Sequence, residues 1–179
     1  MKIINVIKHA DGLKQIKLDK FQDDRGSFLK IFNSDIKDLF DNFFLVEEFF
    51  SISKKNVIRG MHFQTPPFSH NKLVTCINGS FLDVVVDIQK SRNYGKFYEF
   101  SLNSNSPSIL MIGQGYAHGF LSKEDNSIMS YMVDSEYIPS HDKGIKWNSF
   151  EYDWGVKNPI ISERDNNLLP LNFFDSPFL

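Results

Sequence analysis

The stretch Asn78-Gly79-Ser80-Phe81-Leu82-Asp83-Val84-Val85-Val86-Asp87-Ile88 decides the fold. From Phe81 onward it is a β-branched and aromatic run of strand length. Asn78-Gly79 before it reads as a hairpin turn pairing that strand with the preceding apolar run, Lys72-Leu73-Val74-Thr75-Cys76-Ile77. The pattern repeats on both sides. Turn signals at Asp11-Gly12, Asp23 to Gly26, Pro66-Pro67, Tyr94-Gly95, Asn103 to Pro107, Gly113-Gln114-Gly115 and Glu124 to Asn126 bracket short runs at 57–58, 97–102, 108–112 and 128–133. Many short strands with turns at such spacing predict an antiparallel sandwich or barrel, not a βαβ fold. Helix is expected to be minor: a turn or two from Asn33 to Phe40 behind a Ser or Asp cap, and a turn opening at Ser162-Glu163-Arg164-Asp165.

At 179 residues the chain is expected to form one domain, 1–179, with a substantial core. A net charge of -2 without a Lys/Arg run gives no sign of nucleic-acid binding. The lone Cys76 excludes an intramolecular disulfide and suits a reducing compartment, and within an apolar run it reads as a small core residue. The N-terminal residues lack a signal-peptide apolar region, and no stretch approaches the roughly 18–20 apolar residues of a membrane span. A soluble, cytoplasmic protein is expected.

Arg59-Gly60-Met61-His62-Phe63-Gln64 carries the chemistry. If this segment and the Lys72 run share a sheet, an imidazole and an ammonium face one cavity. That is a base beside a fixed cation, as enolate chemistry requires. From these residues alone, a half-buried strand His with a surface Lys is an equal alternative. His118, within Gly115-Tyr116-Ala117-His118-Gly119-Phe120, reads alone as a satisfied core histidine at a tight bend. Tyr131 and Tyr137 read alone as amphipathic packing residues. A His-x-His metal pair is missing, because Gln64 stands two residues after His62. Neither a Gly-x-Ser-x-Gly elbow nor a phosphate-binding Gly-rich loop is present.

Taken in order, the motifs resemble one family. Asp24-Arg25-Gly26-x-Phe28, Arg59-Gly60-x-His62-x-Gln64, Lys72-Leu73-Val74, Asp83-Val84-x-Val86-Asp87, Gly115-x-Ala117-His118-Gly119-Phe120, Tyr131, Tyr137, Gly144-Ile145-x-Trp147 and Ile161-Ser162-x-Arg164-Asp165 are similar to the nucleotide-sugar 3,5-epimerases typified by dTDP-4-dehydrorhamnose 3,5-epimerase. The resemblance implies an all-β, cupin-type jelly roll that dimerises by strand exchange and needs neither metal nor other cofactor. It implies inversion of the carbons flanking the 4-keto group of a nucleotide-linked sugar. Four catalytic residues follow from it. His62 would be the base and Asp165 its partner at the far ring nitrogen, with Lys72 stabilising the enolate and Tyr131 delivering a proton from the opposite face. In the substrate-binding set, Arg25 and Arg59 would meet the diphosphate and Phe28 and Tyr137 the base. His118 and Gln64 would line the sugar pocket.

The chain departs from the family pattern where substrate is read. Lys30 replaces a Glu, and Glu47 and Phe49 replace an amide pair. Lys30 and Glu47 are therefore counted as substrate-binding positions with altered chemistry. A guanine edge offers donors that Glu47 can accept, which points to a GDP-linked 4-keto sugar, including heptoses of bacterial capsules, in place of a dTDP-linked one. Further alternatives are a single-site epimerase, a 3,4-ketoisomerase of the same superfold, and a non-catalytic sugar-binding cupin.

Overall fold

The computed structural model describes residues 3–39 and 43–179. With strands numbered in chain order, one sheet runs β1 (Ile3–Ala10), β2 (Leu13–Leu18), β10 (Ser108–Ile112), β7 (Lys72–Asn78), β12 (Ser127–Val133), β5 (Glu47–Ser53). The other runs β13 (Asp142–Gly144), β6 (Ile58–Gln64), β11 (Tyr116–Ser122), β8 (Ser80–Asp87), β9 (Phe97–Asn103). A separate hairpin joins β3 (Phe21–Asp23) to β4 (Gly26–Phe28), and every strand pair is antiparallel. The two sheets pack face to face as the expected jelly roll.

The sandwich interior takes Val74 and Cys76 from β7, Leu110 and Ile112 from β10 and Met129 from β12, against Phe81 and Val85 from β8 and Phe120 from β11. Phe81 and Phe120 meet edge to face at 4.9 Å, and removing either ring would cost about 3–5 kcal/mol. Cys76 is the core residue expected, its thiol pushed up to about 12 by burial and by the charge of Glu124. Both outer faces are covered as well. Ile36 and Phe43 pack on Ile16, Leu18, Leu73 and Ile109 of the first sheet. The C-terminal segment lays Trp154, Leu171 and Phe178 over Ile58, Met61, Val84 and Ala117 of the second. β10 and β11 are consequently buried along their whole length.

Two expectations about connectivity are corrected. Asn78-Gly79 does not close a hairpin. β7 already lies between β10 and β12, and β8 between β11 and β9, so neither has a free edge for the other. The turn instead carries the chain from one sheet to the other, with Gly79 at φ +76 and a Cβ there colliding with Ser127. For the same reason His62 and Lys72 belong to different sheets and reach one cavity from opposite walls. Both expected helical turns form. α1 (Ser34–Lys37) is capped by the Asn33 side chain, which accepts from the Ile36 N–H, not by Ser or Asp. Phe40 lies outside the described residues. α2 (Glu163–Asn166) is capped by Ser162. No helix among the described residues is long and apolar enough to cross a membrane.

Candidate active site

A cavity of about 610 Å³ opens between the sheets, lined from one wall by Arg59, His62 and His118 and from the other by Lys72, Tyr131 and Val133. Strand register produces this convergence. His62 of β6 lies directly opposite His118 of β11, so both imidazoles leave the same face. Lys72 pairs with Val133 and Val74 with Tyr131, so Lys72 and Tyr131 also share a face. The β6–β11 contact is tight because both strands carry glycine. A Cβ on Gly60 would lie 2.5 Å from the Gly119 Cα, and the ladder is irregular between His118 and Phe120.

Asp165 is delivered by α2. Its Oδ1 accepts from His62 Nε2 at 2.7 Å, while its Oδ2 accepts from the Gly60 N–H at 3.2 Å. The His62 side chain is 30% exposed and that of Asp165 only 5%, so the imidazole opens to the cavity while its partner is sealed behind it. Burial pushes the Asp165 carboxyl up, but the His62 bond and charge, the Gly60 N–H and Arg164 outweigh it and hold the group below its usual range. An ionised Asp165 fixes the Nε2–H tautomer and leaves Nδ1 to take a proton.

A second dyad lies alongside. His118 Nε2 is 2.8 Å from Asp83 Oδ2, both side chains almost wholly buried. On the far wall, burial pulls Lys72 down to about 8 against the opposing charges of Asp142 and Asp83, and its Nζ sits 3.4 Å from the His62 carbonyl oxygen. Burial raises the Tyr131 phenol well above its usual value, opposed by its 3.2 Å contact with Ser51 Oγ. Phe49 stacks on Tyr131 at 4.8 Å, and His118 meets its edge at 6.4 Å. The constellation pairs a carboxylate-oriented base with an easily neutralised ammonium and a protonated phenol. Such groups can move protons on both faces of a carbonyl compound.

His62, Lys72, Tyr131 and Asp165 are thus brought together, with Arg59, Gln64, His118 and Tyr137 around them. Gln64 lines the cavity as expected, and its amide is also tied to the backbone. Its amide accepts from the Ile138 N–H and donates to the Phe68 and Glu136 carbonyls, tying two loops. Glu47 does not line the cavity; it accepts from the Tyr137 N–H at 3.0 Å. Arg25, Phe28 and Lys30 are not brought to this cavity either. Arg25 is bound to Asp23 at 2.6 Å, and Phe28 stands 64% exposed on the β3–β4 hairpin. The residue readings passed over His70, which lines the cavity, and Asp142, which accepts from Tyr137 and Arg164. Among the described residues no group of His, Cys, Asp and Glu is arranged to hold a metal ion.

The family profile described as dTDP-4-dehydrorhamnose 3,5-epimerase matches residues 8–172. The dTDP-4-dehydrorhamnose 3,5-epimerase of Methanothermobacter thermautotrophicus is 36% identical over 170 residues, 90% of each chain, and that of Shigella flexneri 35% over 152 residues, 82% of this chain and 84% of that one. The crystal structure of the Sulfolobus tokodaii enzyme of that name superposes with a TM-score of 0.89 at 34% identity over 98% of both chains. A Legionella pneumophila enzyme in complex with dTDP-4-keto-L-rhamnose superposes at 0.90 with 28% identity, again over 98% of both. With the motifs, the sandwich and the cavity in agreement, the chain belongs to the dTDP-4-dehydrorhamnose 3,5-epimerase family and is an isomerase.

Proposed function

We propose that this enzyme inverts carbon 3 and carbon 5 of a dTDP-linked 4-keto sugar. The observation that carries the reading is the opposition of walls: His62, backed by Asp165 of α2, stands on one sheet, Lys72 and Tyr131 on the other. His62 Nδ1 removes the proton beside the ketone. The C–H electrons move to the carbonyl oxygen as an enolate, which the Lys72 ammonium stabilises. The Tyr131 hydroxyl returns a proton to the same carbon from the opposite face, and solvent restores both groups. Repetition at the second flanking carbon completes the isomerisation without net redox change. Gln64, locked by backbone bonds at the position where a 3,4-ketoisomerase would carry a second histidine, supports epimerisation over ketoisomerisation.

The thymidine nucleotide is favoured by the relatives' substrates and by Glu47, whose carboxylate serves the Tyr137 backbone instead of the cavity. That weakens the case for guanine. A homodimer is part of the proposal. Ile4, Phe21 and Phe28 stand exposed on β1 and the β3–β4 hairpin, positioned so that strand exchange would cover them and carry Arg25, Phe28 and Lys30 to a second protomer's cavity. The test is incubation with matched dTDP- and GDP-linked 4-keto sugars in deuterated water. Deuterium at both carbons with higher kcat/KM for the dTDP substrate is expected. Absence of exchange would overturn the reaction, a GDP preference the nucleotide, and a monomer in solution the dimer.

A further inference from the structure

We infer that His70 is a second, uncharged hydrogen-bond donor beside Lys72, its Nε2–H directed to the substrate oxygen on which enolate charge develops. This rests on the epimerase reading above and adds a residue to it.

His70 closes the loop between β6 and β7, two residues before Lys72, and lines the same cavity. Its tautomer follows from its neighbour. The Ile138 N–H donates to Gln64 Oε1 at 2.7 Å, which fixes which end of that amide is oxygen. The other end is Nε2, whose two hydrogens are shared among the Phe68 carbonyl at 3.0 Å, the Glu136 carbonyl at 3.0 Å and His70 Nδ1 at 3.1 Å. An amide nitrogen offers no lone pair to accept with, so a proton on Nδ1 would face no acceptor there; the lone pair stays on Nδ1 and the ring proton belongs on Nε2.

The opposite edge of the ring is open. Among the described residues, the buried side-chain polar atoms without partners are Asp83 Oδ1 and Trp147 Nε1. His70 Nε2 is bonded by none of the described residues and is not one of these sealed atoms, so it keeps some exposure, and the residue it belongs to lines the cavity.

Its charge state follows from its surroundings. Burial, then the charges of Lys72 and His118, pull His70 down to about 3. An imidazolium there would repel the Lys72 ammonium, whereas a neutral ring adds a donor without adding charge. Two donors, one cationic and one neutral, can then converge on a single oxygen, and a neutral imidazole polarising a carbonyl is sound enzyme chemistry. The glutamine clamp also holds the ring in place before substrate arrives, so no reorganisation is needed as charge develops.

The test compares His70→Ala and His70→Gln with the unaltered enzyme, reading solvent-deuterium exchange, kcat, KM and melting temperature. The alanine variant is expected to lose roughly 100–1000-fold in both exchange rate and kcat with little change in KM, as for removal of one oxyanion donor. Glutamine supplies an acceptor toward Gln64 and an N–H toward the cavity, so it should recover most of that loss at an unchanged melting temperature. Imidazole NMR should show the His70 proton on Nε2, with no second protonation above about pH 5. Exchange in the alanine variant within about twofold of the unaltered enzyme would overturn the inference alone. Equal loss in both variants accompanied by a lower melting temperature would overturn it as well, and so would a proton on Nδ1. Absence of exchange in the unaltered enzyme would overturn the epimerase reading and, with it, the role assigned to His70.

Discussion

Gly60 and Gly119 face each other across β6 and β11 so closely that neither position has room for a side chain. A Cβ on Gly119 would lie 2.6 Å from Met61 Sδ and 2.9 Å from the Arg59 carbonyl oxygen. This contact sets the spacing of the strands that carry His62 and His118. Gly119→Ala is therefore expected to push the strands apart and displace both histidines. Turnover should fall by ~100-fold or more, since a shift of an ångström at a reacting group costs that much. Secondary structure by circular dichroism should be retained, and steady-state kinetics measures the loss.

In the proposed mechanism the His62–Asp165 pair makes the base. His62→Asn should cost at least ~100-fold in kcat with the fold intact. Asp165→Asn should cost a similar factor, because an amide can donate to Nε2 and so favour the wrong tautomer. Deuterium exchange at the substrate should fall in parallel with product in both variants. Near-normal exchange in either would remove the dyad from the mechanism.

Tyr131→Phe separates the two proton transfers. If the phenol serves the second face, solvent deuterium should still enter the substrate through His62 while epimerised product disappears. Equal loss of exchange and product would assign Tyr131 to binding or electrostatics.

Lys72 should make activity and stability run in opposite directions with pH. Its folded value, about 8, lies below the ordinary 10.5 of a free lysine. Between those two values the unfolded chain holds more protons than the folded one, so this group makes stability rise with pH across that window. If its ammonium stabilises the enolate as proposed, activity should fall over the same range as that charge is lost. Lys72→Met should accordingly abolish turnover yet stabilise the protein near neutral pH, by up to roughly 3 kcal/mol. Thermal melts and kcat at matched pH values check both halves.

The sequence shows its buried elements most clearly. β8, β10 and β12 are apolar, β-branched runs, and each is recognisable alone because its side chains are buried. The sequence reading does not mark β1 and β5. Both are sheet edges with mostly exposed side chains, so no apolar pattern is imposed on them. Asn78-Gly79 misleads because turn chemistry records a local reversal, while the sheet each arm joins is decided by its other neighbours. The four residues proposed for catalysis emerge from motif order, but the approach of His62 and Lys72 from opposite walls is a property of the tertiary fold. His70 sits in a loop between Pro66-Pro67 and β7 with no periodicity around it. Only the cavity and the Gln64 contact distinguish it from a surface histidine.

The C-terminal segment that covers the outer face of the second sheet also carries Asp165. Ile160 is bridged to Val57, and Leu169 to Ile145, on either side of that carboxylate. On the proposed mechanism coverage and catalysis are mechanically joined: lifting this segment would take the carboxylate from His62 while both sheets remain paired. Loss of turnover on warming should then precede loss of β-structure, with amide protons of 160–178 exchanging before those of β8 and β11. The enzyme would be disarmed by peeling before it is undone by melting.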